Sequence, residues 1–184
     1  MPTTRSFDAL LRSAVELIAE RGVDTLTLSQ VAAHARVSRA TAYREFGDKD
    51  GVIGAVAQHE IGLMLAAVQV DIDVSADPAV VVEAIVGSAL RYLRGHAAFT
   101  YVRDHEPHWL LQAVLAVGES RMDLVQTVAT LVAPAIAVDE RRLRLSAAQA
   151  AEVMVRTVLS HSLIEVSTLS DAEVGATVAR AIIA

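Results

Sequence analysis

The stretch LTLSQVAAHARVSRATAYREFGDK, from Leu26 to Lys49, decides how this chain is read. Thr27 stands three residues before Gln30, the capping-box spacing in which each side chain satisfies an orphan N–H at a helix start. That spacing predicts a short helix carrying Val31, Ala32 and Ala35 inward, residues small enough for another helix to approach closely. After a tight turn at Arg36-Val37, the Ser38 hydroxyl can cap a further helix with Ala40, Thr41, Ala42, Tyr43, Arg44 and Phe46, which Gly47 ends. Two helices joined by a turn of about three residues have the proportions of a helix-turn-helix, whose second helix can enter the major groove of DNA. With Val37, Ala42 and Phe46 packed inward, Ser38, Arg39, Thr41, Tyr43 and Arg44 are left for the duplex. Arginines fork onto guanine edges or phosphates, Thr41 can touch a thymine methyl or a phosphate, and the Tyr43 hydroxyl can donate to a phosphate. Lys49 is the only lysine beside fifteen arginines. It falls in the first turn of the next helix, where its charge and the exposed N–H groups can converge on one phosphate.

Upstream, Phe7, Leu10, Leu11, Ala14, Val15, Leu17 and Ile18 recur on a helical stripe that begins at a Ser6 cap and stops at Gly22. Downstream, Asp48 caps a long apolar helix through Val52, Ile53, Val56, Ala57, Ile61, Leu65 and Val68. Past residue 70 the hydrophobic period stays helical, and no stretch alternates as a strand would. Helices are predicted from Pro78 to about Arg94 and from His96 to His105. An apolar segment from Pro107 to Ala137 follows, interrupted near Gly118. After a charged loop from Asp139 to Arg144 come Ser146 to Val166 and Asp171 to Ile183, the latter capped by Asp171. The fold class is therefore all-α.

Composition sets the outer limits. The chain has 184 residues, no cysteine, 53% hydrophobic and 4% aromatic residues. Such a chain is not disordered, and a disulfide framework, a zinc finger and a cysteine nucleophile are all excluded. A cytoplasmic home is expected. The longest apolar stretches, such as Val128 to Val138, look shorter than the roughly 18–20 residues of a membrane span, so no membrane partner is expected. The net charge of −6 argues against indiscriminate attraction to polyanions. Its distribution is uneven: residues 1–50 hold seven basic and seven acidic side chains, residues 51–184 nine and fifteen.

The run from Leu26 to Ala32 and from Val37 to Asp50, with its capped helix, turn, Thr-x-Tyr-x-x-Phe helix and following lysine, resembles the N-terminal domain of TetR/AcrR-type transcriptional regulators over roughly residues 7–56. The resemblance implies an N-terminal three-helix DNA-binding domain, residues 1–50, joined to a helical ligand-binding and dimerisation domain, residues 51–184. It implies a homodimer, most often a repressor, that a small-molecule effector releases from a double-stranded DNA operator. By the same carry-over Thr27, Ser38, Arg39, Thr41, Tyr43, Arg44 and Lys49 match positions near the groove or the DNA backbone. One departure stands out: Arg36 occupies a turn where such proteins usually carry glycine, and a positive φ there would add strain of about 1 kcal/mol.

In the C-terminal half, Tyr92, His96, Phe99, Tyr101, His105, His108 and Trp109 gather within eighteen residues. Met64, Tyr92, His96, Phe99, Trp109, Leu110, Val114, Met122 and His161 are the expected walls of a pocket for a mostly hydrophobic effector. Met154, Thr157, Val158 and His161, with Val174, Val178 and Ile182, are the expected dimer seam of a four-helix bundle. His161 and Glu165, one helical turn apart, can hydrogen-bond there. His105-Glu106-Pro107-His108 lacks a metal-binding helical spacing, so no metal is expected; nor is any cofactor or catalytic residue. Two alternatives belong to other classes, an all-α interaction module without DNA contact and a small helical enzyme. The enzyme lacks a nucleophile elbow or a phosphate loop to support it.

Overall fold

The computed structural model describes residues 4–73, 75–115 and 124–184. Gly118 and Met122, which the sequence reading places at a helix interruption and in a pocket wall, lie outside them. Among the described residues there are ten α-helices and a single 3-10 segment. The chain divides into two compact units, residues 1–63 with 96–110, and residues 64–95 with 111–184. Packing therefore cuts the chain elsewhere than after residue 50, because residues 96–110 return to the N-terminal helices.

The first unit holds α1 (Thr4–Arg21), α2 (Leu28–His34), α3 (Arg39–Phe46), the first part of α4 (Lys49–Asp71), α6 (Ala97–His105) and the start of α7 (Pro107–Leu115). Its core joins Leu10, Ala14, Val31, Ala32, Ala42 and Val52, each fully shielded from solvent, to Ala98 and Val102 of α6. The Phe7 and Phe46 rings meet with centroids 5.4 Å apart, fixing α3 against α1. α1 begins at Thr4, two residues before the expected Ser6.

Three sharp corners shape this unit. Gly22 ends α1 at φ +79°, as the sequence predicts. Gly47 (φ 77°, ψ −63°) makes a γ-turn in which Asp48 N–H donates to Phe46 C=O at 2.9 Å. Asp48 then caps α4 by accepting from Gly51 N–H at 2.8 Å. Between α2 and α3 the chain forms a Schellman turn: Val37 N–H reaches Ala32 C=O and Arg36 N–H reaches Ala33 C=O. The turn requires a left-handed residue, and Arg36 supplies it at φ 56°. For a residue bearing a Cβ this backbone costs about 1 kcal/mol.

The second unit holds α5 (Pro78–Gly95), α8 (Leu124–Ile136), the 3-10 segment Ala137–Arg142, α9 (Ala147–Leu163) and α10 (Asp171–Ile182). α10 lies on α5, and α8 on α9, around Val82, Val86, Leu90, Met154, Val174 and Ile182. Ion pairs tie helix ends: Arg94 to Asp171 at 2.9 Å and Arg142 to Asp77 at 2.8 Å. Leu143 and Ile183 form an isolated antiparallel bridge, where Ala184 N–H donates to Arg142 C=O at 2.6 Å.

Several expectations are corrected here. Met154, Val158, Val174, Val178 and Ile182, assigned to a dimer seam, are 0–8% exposed inside one protomer. Their stripe is used up against α5 and α8, and only Thr157 and His161 of that set stay half-buried. α9 ends at Leu163, so Glu165 lies beyond the helix and its one-turn spacing from His161 is broken. α10 is capped by Ser170, not Asp171, because Ser170 completes a reciprocal box with Glu173. α4 is 23 residues long with a mean hydropathy of 1.5 over its most apolar window, so one helix does reach membrane-spanning length and apolarity. The reading from unbroken apolar runs missed it because Gln58, His59 and Glu60 interrupt the run without ending the helix.

Gly22 generates the first prediction. A Cβ built there would sit 2.1 Å from a Glu106 carboxyl oxygen, on top of the positive φ. Gly22→Ala is expected to lower the unfolding free energy by roughly 1–3 kcal/mol in a urea titration, and an unchanged midpoint would contradict this geometry.

Candidate nucleic-acid interface

The surface in question is presented by α2, α3 and the start of α4. Thr27 and Gln30 close the predicted capping box: Gln30 N–H donates to Thr27 Oγ1 at 3.2 Å, and Thr27 N–H donates to Gln30 Oε1 at 2.9 Å. Ser38 caps α3 by accepting from Thr41 N–H at 3.1 Å, and its hydroxyl lies 2.8 Å from that of Thr41. Both threonine and serine thus serve helix ends first, and Thr41 is half-buried.

Ala42 and Phe46 face the core, which turns Arg39, Ala40, Tyr43 and Arg44 outward. Tyr43 is 52% exposed, although it is a large aromatic ring. Arg44 keeps its side chain 67% exposed and pairs with the neighbouring Glu45 at 3.2 Å. Arg39 occupies the first position of α3 with no hydrogen bond or ion pair among the described residues. A cation there opposes the helix dipole, and no acid stands in the first turn of either α2 or α3. The N-terminal end of α3 is therefore left positive, the polarity an anionic backbone requires. Ala40 is likewise exposed, between Arg39 and Tyr43 and one turn before Arg44; the sequence reading did not assign it to DNA, although its methyl can meet a thymine methyl.

Lys49 has partners within the chain that its position in the sequence does not announce. Its Nζ donates to Asp24 C=O at 2.8 Å and lies 5.6 Å from the centre of the Trp109 ring. A side chain in the first turn of a helix leans toward the N-terminus, and here that direction leads to the α1–α2 loop instead of outward.

The same loop explains much of the histidine and aromatic cluster. Glu106, 8% exposed between α6 and α7, accepts from Val23 N–H at 2.5 Å and from Asp24 N–H at 3.1 Å. The left-handed Gly22 aims two successive N–H groups at one point, and the Glu106 carboxyl group fills that concavity. Trp109 Nε1 donates to Asp24 Oδ1 at 2.9 Å, and His108 Nε2 lies 3.2 Å from the same oxygen. His96 caps α6 by accepting from Phe99 N–H at 3.1 Å, with its other ring nitrogen 2.7 Å from Glu60. His105 stacks on Tyr101.

Of the expected pocket walls, His96, Phe99, Trp109 and Leu110 thus belong to the first unit, where Trp109 and Leu110 pack on its core. Met64, Tyr92, Val114 and His161 belong to the second, each half-buried. Nothing in local periodicity reveals Glu106; only its place beside a proline, at the end of a helix and away from water, singles it out.

With this geometry established, likeness to known proteins can be weighed. Residues 10–56 match the family profile described as bacterial regulatory proteins, tetR family. That likeness covers the amino-terminal helices, α1 to the first part of α4. The TetR-type segment is 39% identical over 61 residues to an HTH-type transcriptional repressor of Mycobacterium tuberculosis, a match spanning 32% of each chain. The chain therefore aligns with about a third of the length of that curated relative. Over nearly the whole chain the fold is similar to the TetR family repressor AlkX from a Dietzia species (TM-score 0.69, 18% identity, covering 97% of this chain and 92% of the other). It is also similar to the fatty acid degradation regulator FadR from Bacillus halodurans (TM-score 0.65, 16% identity, 98% and 95%).

Two predictions arise at the α1–α2 loop. Glu106→Ala strands the buried Val23 N–H and is expected to cost roughly 1–3 kcal/mol in a denaturant titration. The Trp109 hydrogen bond, aided by the positive charge of His108 and Lys49 and opposed by desolvation, holds the Asp24 carboxyl below its ordinary value of 3.8. A lowered folded value means that this contribution to stability is complete above 3.8 and disappears as pH falls through the folded value. The melting-temperature gap between wild type and Asp24→Asn should thus be full at neutral pH and close in acid, with Trp109, the one tryptophan, as fluorescent reporter.

Proposed function

We propose that the protein is a homodimeric, DNA-binding transcriptional repressor that leaves its operator when a small, mostly hydrophobic effector binds. One observation carries the reading: a capped α3 presents Arg39, Ala40, Tyr43 and Arg44 outward, with its positive end uncompensated by any acid. In a homodimer two such helices enter successive major grooves about 34–36 Å apart.

Leu131, Ile164 and Val166 of the second unit are 52%, 63% and 94% exposed, apolar side chains that a partner could cover. A second copy of the chain, reached also through Thr157 and His161, fits a two-fold helical seam. The apolar character of residues 51–184 supports a hydrophobic effector. The effector acts by binding the DNA-incompetent arrangement more tightly than the competent one, which shifts the population between them.

Gel retardation with the region upstream of the protein's own gene tests this. Specific retardation by the wild type is expected, lost when Arg39→Ala and Tyr43→Ala are combined, with helical content unchanged. Full retention of binding by the double variant would refute the assignment of α3 as the reading helix.

A further inference from the structure

We propose that Arg36, in the turn between α2 and α3, is a phosphate-binding residue that supplements the α3 contacts of this chain. The inference rests on the DNA-binding reading above and extends it to a residue outside the helix that reads the groove.

Three observations converge. Arg36 occupies the left-handed position of a Schellman turn, at φ 56°, and among the described residues it is the only non-glycine with positive φ. The turn's own hydrogen bonds, Val37 N–H to Ala32 C=O at 2.9 Å and Arg36 N–H to Ala33 C=O at 3.2 Å, are made by backbone alone and need no side chain at this position. Glycine would serve them without strain.

The guanidinium is also exposed and makes no hydrogen bond or ion pair among the described residues. Among the described residues nine arginines are engaged, namely Arg21, Arg44, Arg91, Arg94, Arg103, Arg142, Arg144, Arg156 and Arg180. A backbone held in a costly conformation by a residue whose side chain is exposed and makes no hydrogen bond or ion pair among the described residues fits strain kept for a task outside the folded chain.

Finally, Arg36 stands two residues before Ser38, the cap of α3, and three before Arg39. Two unpaired guanidiniums thus flank the positive end of the outward-facing helix. A fork of N–H donors at that place suits phosphate oxygens, which fix the register of a helix on the duplex without reading sequence. A cation near the C-terminal end of α2 also suits the helix dipole, but that role predicts no effect on DNA.

The experiment compares wild type, Arg36→Gly, Arg36→Gln and Arg36→Lys by fluorescence anisotropy across a salt series, on two labelled duplexes, the upstream fragment and a mixed-sequence control. Wild-type binding to the upstream fragment is the baseline. Arg36→Gly and Arg36→Gln should each reduce the steepness of log K against log salt by about 0.9, the value of one lost phosphate. Both should weaken the two duplexes by the same factor, and Arg36→Lys should keep the wild-type slope. Thermal melting without DNA should show Arg36→Gly at least as stable as wild type, so that affinity and stability move apart. Wild-type slopes in both neutral variants overturn the assignment of Arg36 while leaving the repressor reading intact. Failure of the wild type to bind either duplex overturns that reading, and this inference with it.

Discussion

A single buried side chain ties the helices of the first unit together. The Glu106 carboxyl group sits in the concavity made by Val23 and Asp24 N–H, and Gly22 exists in its left-handed form to make room for it. Buried polar groups are tolerated only when matched. Here one acceptor satisfies two backbone donors that a helix end leaves orphaned, some eighty residues away in sequence. Trp109, His108 and Lys49 then gather on Asp24 around the same loop. The corner therefore behaves as one network, in which losing any member leaves the others short of a partner.

The outward face of α3 is built differently from the rest of the first unit. Ala42, Phe46 and Val31 satisfy the core, and Thr27 and Ser38 satisfy helix ends. Arg39 and Tyr43 do neither. Arg39 opposes the dipole of its own helix, and Tyr43 keeps half its ring in water. Local rules are broken on one face of one short helix, as is expected where a surface is shaped by an outside partner.

How much of this was legible in the sequence follows from the range of each interaction. α2 and α3 were readable to within a residue because their caps, Thr27 with Gln30 and Ser38 with Thr41, lie three positions apart. Gly22 was readable as a local helix stop, whereas the strain at Arg36 was legible only through the resemblance, which places glycine in that turn. An amphipathic stripe shows that a face is buried but not against what: Met154 and Val174 are covered by their own chain, while Thr157 and His161 stay half-buried. Lys49 was assigned to phosphate on position alone, while its partner, Asp24, is reached only through the fold. The roles of Glu106 and Trp109 were not legible, since their partners stand more than eighty positions away.

The engagement of Lys49 has a practical side. Apart from the chain's own terminus, its amine is the one place where an acylating reagent can attach, and it is held over an indole and against a carbonyl. Acylation requires the amine to leave that seat, so its rate would time how often this corner opens, and the attached dye would mark one known position.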